Sequence, residues 1–433
     1  MTNALATIET AVQEHAKRLA VDPGTDDGAA RLRLLISEEV ERWRLDFRRG
    51  QREFDLADPD SVVERIDRNL TGYGPLDPLL SDDDVWEVMV NAPDAIFVKR
   101  HTGPTGYHDE VFHDDDHVRR TLTKILDDAS AAHRTLDPTE GLQDAQLDSG
   151  ARLHIVHSDL ARGGHLMFNI RKFAGVAFRS LEELVDAGTL TGPVAGFLRA
   201  CVRSRASILF AGSPGAGKTT LISCCAAELD PSLRIVVAEE VFEADVPLPN
   251  VASMQTRPAR AERDAVDLRR LVAGFLRMAP DVAIVGEVRD REALPLLLTL
   301  SSGVTGYTTI HAGSARQALT RLRFICQLAD TSNELPMSAL NSLVSEAVDV
   351  VVHLERTGDG VEVTSVVAVE DLVGGLDGVQ FTATDVFRRP HRGAAPEWSG
   401  DLPIRLGRRL GDHGHDIRDL LGDPRSATKG TTS

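Results

Sequence analysis

Gly212-Ser213-Pro214-Gly215-Ala216-Gly217-Lys218-Thr219 is a complete G-x-x-x-x-G-K-T loop, preceded by the apolar run Ser207 to Ala211 and followed by a helical segment from near Thr220. Glycines let a backbone curl until successive N–H groups point at phosphate oxygens, and a following helix adds the positive end of its dipole. The spacing therefore predicts a strand, a phosphate cradle over Gly212 to Thr220, and a helix. In such a cradle Lys218 reaches the β and γ phosphates and Thr219 ligates Mg²⁺, so the expected ligands are ATP and Mg²⁺. Lys218 is one of six lysines against 42 arginines. A chain that strongly favours arginine keeps a lysine where a compact, flexible charge is wanted.

Working outward, 433 residues with 42% apolar content predict two to three domains with real cores. The formal charge of −18 argues against a broad nucleic-acid face, which needs a basic surface. Cys201, Cys224, Cys225 and Cys326 show no C-x-x-C spacing and read as ordinary thiols in a reducing compartment, with no metal site among them. The longest strongly apolar run, Leu294 to Leu300, is far short of the roughly twenty residues that span a bilayer. The expectation is a cytoplasmic protein that reaches a membrane through partners.

Residues 1–70 read as helical, with Leu32, Ile36, Val40 and Trp43 spaced by three and four on a charged background. Gly72-Tyr73-Gly74-Pro75 breaks that pattern. A small α/β domain is expected over 71–180. It has strands at Val85 to Val90 and Ala95 to Lys99 around Asn91-Ala92-Pro93-Asp94, a helix near His117 to Ala131, loops at Leu147 to Arg152 and Ala161 to His165, and a last strand at Leu166 to Lys172. Over 181–390, buried-type strands at Ile208 to Ala211, Arg234 to Ala238, Val282 to Val285, Gly306 to Ile310 and Val348 to His353 alternate with helices. That alternation predicts an α/β fold with a mainly parallel sheet and ligands at the strands' carboxyl ends. Residues 391–433 show weak periodicity, and Asp423 to Ser433 reads as disordered.

Hydrolysis needs a carboxylate that orients water at the γ-phosphate, and such groups sit at the ends of strands beside the loop strand. Val282 to Val285 runs into Gly286-Glu287, which makes Glu287 the candidate for polarising water. Ile235 to Ala238 runs into Glu239-Glu240, followed by Glu243, and Glu239 or Glu240 is the candidate for the metal side. Glu292, one helical turn past Glu287, reads as a helix-start charge. His311 follows a further strand and is placed to sense the γ-phosphate. A finger cation is sought among Arg289, Arg152 and Arg171.

In order, these segments resemble the secretion ATPase superfamily of type II and type IV secretion and pilus assembly, most nearly its Flp-pilus or tight-adherence, CpaF-like branch. The resemblance begins at Tyr73 to Leu80 and Asp82 to Asn91. It continues through Ile170-Arg171-Lys172-Phe173, the phosphate loop, an aspartate box over Glu239 to Glu243, a Walker B region from Leu276 to Arg289, and a histidine box at Thr308 to Ala312. It implies a small N-terminal α/β domain, a RecA-like P-loop domain and a homohexameric ring in which each ATP lies between the two domains. It further implies activating arginines at Arg152 and Arg171, and an inner-membrane platform protein as partner. Departures stand at Gln146, where the family carries an arginine, at Glu240, an aspartate in the family, at Asp290 and Arg291, usually glycines, and at Pro295.

Two other readings are a nucleotide-regulated scaffold with little turnover and a nucleic-acid translocase, the second opposed by the acidic balance. A GTPase is disfavoured, because no N-K-x-D motif occurs.

Overall fold

The computed structural model describes residues 2–100, 103–129, 135–172, 178–257, 264–329, 335–357, 360–371, 381–391 and 393–422. Phe173, Ala131 and Asp423 to Ser433, which carry expectations above, lie outside that set. The chain forms two compact units, 1–174 and 175–433.

The first unit opens with α1 (Thr2–Arg18), α2 (Asp26–Arg48) and α3 (Pro59–Thr71). Thr25 caps α2 by accepting the Gly28 N–H, and Asp58 caps α3 by accepting that of Ser61. The stripe Leu32, Ile36, Val40 and Trp43 is buried against Leu5, Ile8, Val12 and Ile66, so the helices share one small core. After α4 (Asp77–Ser81) come β1 (Val85–Ala92), β2 (Ala95–Arg100), β3 (Gly106–Tyr107), α5 (Asp115–Asp128), β4 (Leu142–Gln146), β5 (Arg152–Val156) and β6 (Met167–Arg171). The strands form one antiparallel sheet in the order β3-β2-β1-β6-β5-β4. Arg152, expected in a loop, instead begins β5, and β4 was not legible. Its sequence Leu-Gln-Asp-Ala-Gln lies at the sheet edge and carries little apolar alternation.

The second unit runs α6 (Leu181–Asp186), α7 (Gly192–Arg203), β7 (Ile208–Gly212), α8 (Lys218–Ala226), β8 (Ile235–Glu239), β9 (Val251–Gln255), α9 (Leu268–Ala273), β10 (Val282–Val285), α10 (Ala293–Ser301), β11 (Thr305–Ile310), α11 (Ala315–Ala329) and α12 (Met337–Ala347). It then continues β12 (Val350–Thr357), β13 (Gly360–Val369), β14 (Ala383–Arg388), β15 (Glu397–Trp398), α13 (Ile404–Asp412) and α14 (Ile417–Leu421). The sheet order is β15-β14-β13-β12-β7-β11-β10-β8-β9. From β9 through β12 the pairing is parallel, and β12 to β15 add an antiparallel meander. Every residue of β7, β8, β10 and β11 is buried, as strands covered on both faces require. Phe197, Leu198 and Ile222 cover one face, and Leu296, Leu297, Leu319 and Leu322 the other.

The segment after Pro390 departs from its weak periodicity. Helices α13 and α14 bury Leu406, Leu410 and Leu421 in the same core as β7 and α7. Arg405 and Arg409 of α13 both reach Asp349, which is 3% exposed and whose Oδ2 accepts the Ser207 N–H at 2.8 Å. Two arginines separated by one helical turn thus neutralise a carboxylate beneath the loop strand.

Candidate nucleotide site

The phosphate loop is shaped by what surrounds it. A Cβ at Gly212 would sit 2.4 Å from the Leu354 carbonyl oxygen of β12, so only glycine allows that approach. Gly217 has φ +73° and precedes α8 with no side-chain cap, which leaves the first-turn N–H groups of α8 turned to the loop's mouth. A glycine cradle at an uncapped helix start, with Lys218 and Thr219 in the first turn, fits a magnesium-bound triphosphate. Helix α8 begins at Lys218, two residues before the expected Thr220, which lies within its first turn. Ser213, Pro214, Gly215 and Ala216 complete the loop.

The parallel register then brings the predicted groups together. Val285 pairs with Thr308 and with Ala238, and Ile310 pairs with Ala211, so the ends of β8, β10, β11 and β7 lie side by side. The Lys218 ammonium donates to the Ser213 carbonyl at 2.8 Å and the Gly212 carbonyl at 3.2 Å, and lies 3.3 Å from His311 Nδ1. His311 Nε2 stands 3.0 Å from Glu287 Oε1. Burial pushes the Glu287 carboxyl up. The His311 hydrogen bond and the charges of His311, Arg289 and Lys218 outweigh it, so the group ends below the ordinary carboxylate range. Two backbone ties brace it: Val288 N–H donates to Thr309 O at 2.8 Å, and Thr309 Oγ1 donates to Gly286 O at 2.7 Å. His353, buried and pushed down in pKa by that burial, lies 3.3 Å through Nε2 from the Ala312 carbonyl and steadies the turn after His311.

The acidic cluster divides by position. Glu239 is 3% exposed, and its Oε1 accepts the N–H groups of Glu243 (3.1 Å) and Ala244 (2.9 Å). Its side chain occupies the space over Gly286, where a Cβ would meet Glu239 Cγ at 3.0 Å. Glu240 pairs with Arg289. The carboxylate hydrogen-bonded to Thr219 is Glu243, whose Oε2 accepts from Oγ1 at 3.4 Å. Glu243 is the third carboxylate of a legible cluster, but only the turn held by Glu239 aims it at Thr219.

Arg152 and Arg171 lie in the first unit, paired in register across β5 and β6, in a row that continues to Gln146 on β4 and Glu87 on β1. Arg356, which no sequence signal singles out, donates through Nε to the Gly215 carbonyl at 3.2 Å. The hairpin of β12 and β13 that carries it also sets Val361 against Gly217. Among the described residues no helix is long and apolar enough to cross a membrane.

Residues 69–363 match the family described as type II/IV secretion system protein. A Mycobacterium tuberculosis (strain H37Rv) protein named for conjugal transfer is 33% identical over 303 residues, covering 68% of this chain and 83% of its own length. The type IV secretion system protein PtlH of Bordetella pertussis is likewise 33% identical over 303 residues, covering 65% and 88%. The VirB11 ATPase of the Brucella suis type IV secretion system, solved with sulphate, aligns at 26% identity and a TM-score of 0.37, covering 67% of this chain and 94% of that one.

Proposed function

The chain belongs to the type II/IV secretion system protein family, and on that footing we propose that it is a Mg²⁺-dependent ATPase motor of a secretion or pilus machine. The observation that carries this reading is the line Lys218, His311, Glu287, running from the first turn of α8 across the ends of β11 and β10, beside the pair Thr219 and Glu243. Bound ATP and Mg²⁺ would supply the transferable phosphoryl group and the metal's charge. Lys218 leaves its two carbonyl partners to neutralise phosphate oxygens, and Thr219 with Glu243 holds the metal side. Glu287 orients the attacking water, and His311 reports between the loop lysine and that carboxylate. Arg152 and Arg171 act as activating cations, with Arg289 as the local alternative.

Within the same proposal the motor is a homohexamer at the cytoplasmic face of the membrane, working on an inner-membrane platform protein. Its branch is the Flp-pilus or tight-adherence one, which the ordered segments from Tyr73 to Ala312 resemble most nearly; the relatives cited above carry conjugal-transfer and type IV secretion names. A nucleotide-regulated scaffold is the second reading. Gln146, in register with Arg152 where the family carries another cation, favours it.

Steady-state ATP hydrolysis with Mg²⁺, followed against protein concentration in wild type and Glu287→Gln, separates the two. Turnover per subunit that climbs with concentration and is lost in the variant supports the motor. Negligible wild-type turnover with measurable ATP binding selects the scaffold. DNA-stimulated hydrolysis would point instead to a translocase.

A further inference from the structure

Glu292 is 4% exposed at the start of α10, yet its carboxylate does not cap that helix. It turns back onto the preceding loop, where Oε1 accepts the Arg289 N–H at 2.6 Å and the Asp290 N–H at 2.8 Å. The Ala293 N–H donates to Asp290 O at 3.2 Å and closes the turn from the other side. Asp290 and Arg291, where glycines are usual, take this turn without a left-handed backbone, the described positive-φ residues other than glycine being Ala20, Arg205 and Ala279. One buried oxygen therefore sets the path of the backbone just after Glu287. The two side chains carried by that stretch have their own partners: Glu287 meets His311, and Arg289 meets Glu240.

We propose that Glu292 is a positioning residue for the hydrolytic step: by accepting the Arg289 and Asp290 N–H groups, its carboxylate keeps Glu287 aligned with His311 and Arg289 aligned with Glu240. This rests on the reading of the site as a hydrolase. Glu292 touches no reacting atom and acts only through the backbone. A misplacement of Glu287 on the order of an ångström is enough to lower the chemical rate about ten- to a hundredfold while leaving the phosphate cradle intact.

The test compares wild type, Glu292→Ala, Glu292→Gln and Glu292→Asp as full-length proteins, reading kcat and KM for ATP and hydrogen exchange at the Arg289 and Asp290 amides. The expected result is a kcat about ten- to a hundredfold lower in Glu292→Ala with KM within about twofold, and faster exchange at both amides. Glu292→Gln, whose carbonyl oxygen reaches as far and accepts equally, stays within about threefold of wild type. Wild-type kcat in Glu292→Ala overturns the proposal. So does a joint loss of kcat and KM that Gln fails to rescue. If Glu292→Ala does not fold, the Gln and Asp variants decide: Asp is one methylene short, and activity in Asp equal to that in Gln refutes the tie. Absence of wild-type turnover overturns the hydrolase reading and this role with it, whereas wild-type turnover with an unaffected Glu292→Ala removes only Glu292.

Discussion

His311 Nε2 lies 3.0 Å from Glu287 Oε1, joining the end of β11 to the carboxylate that follows β10. Burial alone would raise the Glu287 carboxyl, and this contact leads the influences, with the charges of Arg289 and Lys218, that bring it down.

His311→Gln is expected to raise the Glu287 pKa, since burial then loses its main counterweight. Glu287 titrates below its ordinary 4.5, so its contribution is fully present above that pH and is lost as pH falls through the lower folded value. The acid limb of kcat/KM should therefore move to higher pH in the variant. An unchanged limb in a pH profile would refute the coupling.

Gly286→Asp sets a second carboxylate directly before Glu287 and is expected to impair the protein. Its Cβ would enter the space held by Glu239 Cγ and set a second carboxylate beside a buried one. Displacing Glu239 frees the Glu243 and Ala244 amides and turns Glu243 away from Thr219. The cost should be about 1 to 3 kcal/mol in chemical denaturation, with lower turnover. Adding Glu239→Ser should relieve the crowding but leaves the Glu243 and Ala244 amides without their acceptor, so stability returns only in part and turnover stays low.

Arg405→Ala leaves the buried Asp349 with Arg409 and the Ser207 N–H as its charged and polar partners. Because Arg409 still compensates the charge, the cost should be about 1 to 3 kcal/mol, below that of a buried carboxylate left unpaired. Urea unfolding should show a loss of stability of that size, read as a lower midpoint at unchanged m, and truncation before α13 a larger one. A midpoint unchanged by either would show α13 to be dispensable.

His117, 1% exposed in the first unit, has its pKa pushed down to about 4 by burial, because charging it there means losing water. Its stabilising contribution is complete above the ordinary 6.5 and is lost as pH falls from there towards 4, up to about 3 kcal/mol. Glu9 acts in the same direction lower down. Burial raises it, but hydrogen bonds from His113 and Asn69 bring it below its ordinary 4.5. The stability of residues 1–174 should therefore fall as pH drops below 6.5, and His117→Leu should flatten the slope of stability against pH between 6.5 and 4. Equal slopes would reject the assignment.

The sequence by itself determined the parts of this protein that are contiguous. A phosphate cradle needs only one run of residues, so Gly212 to Thr219 announces a strand, a turn and a helix wherever it occurs. Apolar runs ending in Glu287 and His311 announce strand termini, and the spacing of Leu32, Ile36, Val40 and Trp43 announces a helix face. Only the tertiary structure decided which of three neighbouring carboxylates meets Thr219, that Glu239 fills the space over Gly286, that Glu292 holds a backbone turn rather than marking a helix start, and that Arg356 reaches the loop 141 residues back in the chain. The same holds for the arginine clasp of α13 on Asp349. For the contacts between elements the reason is that parallel strands are paired through crossovers tens of residues long, so the register that brings their side chains together is settled by packing of the whole sheet; for Glu292 it is that burial of its carboxylate, not its place in the sequence, turns it onto the preceding amides.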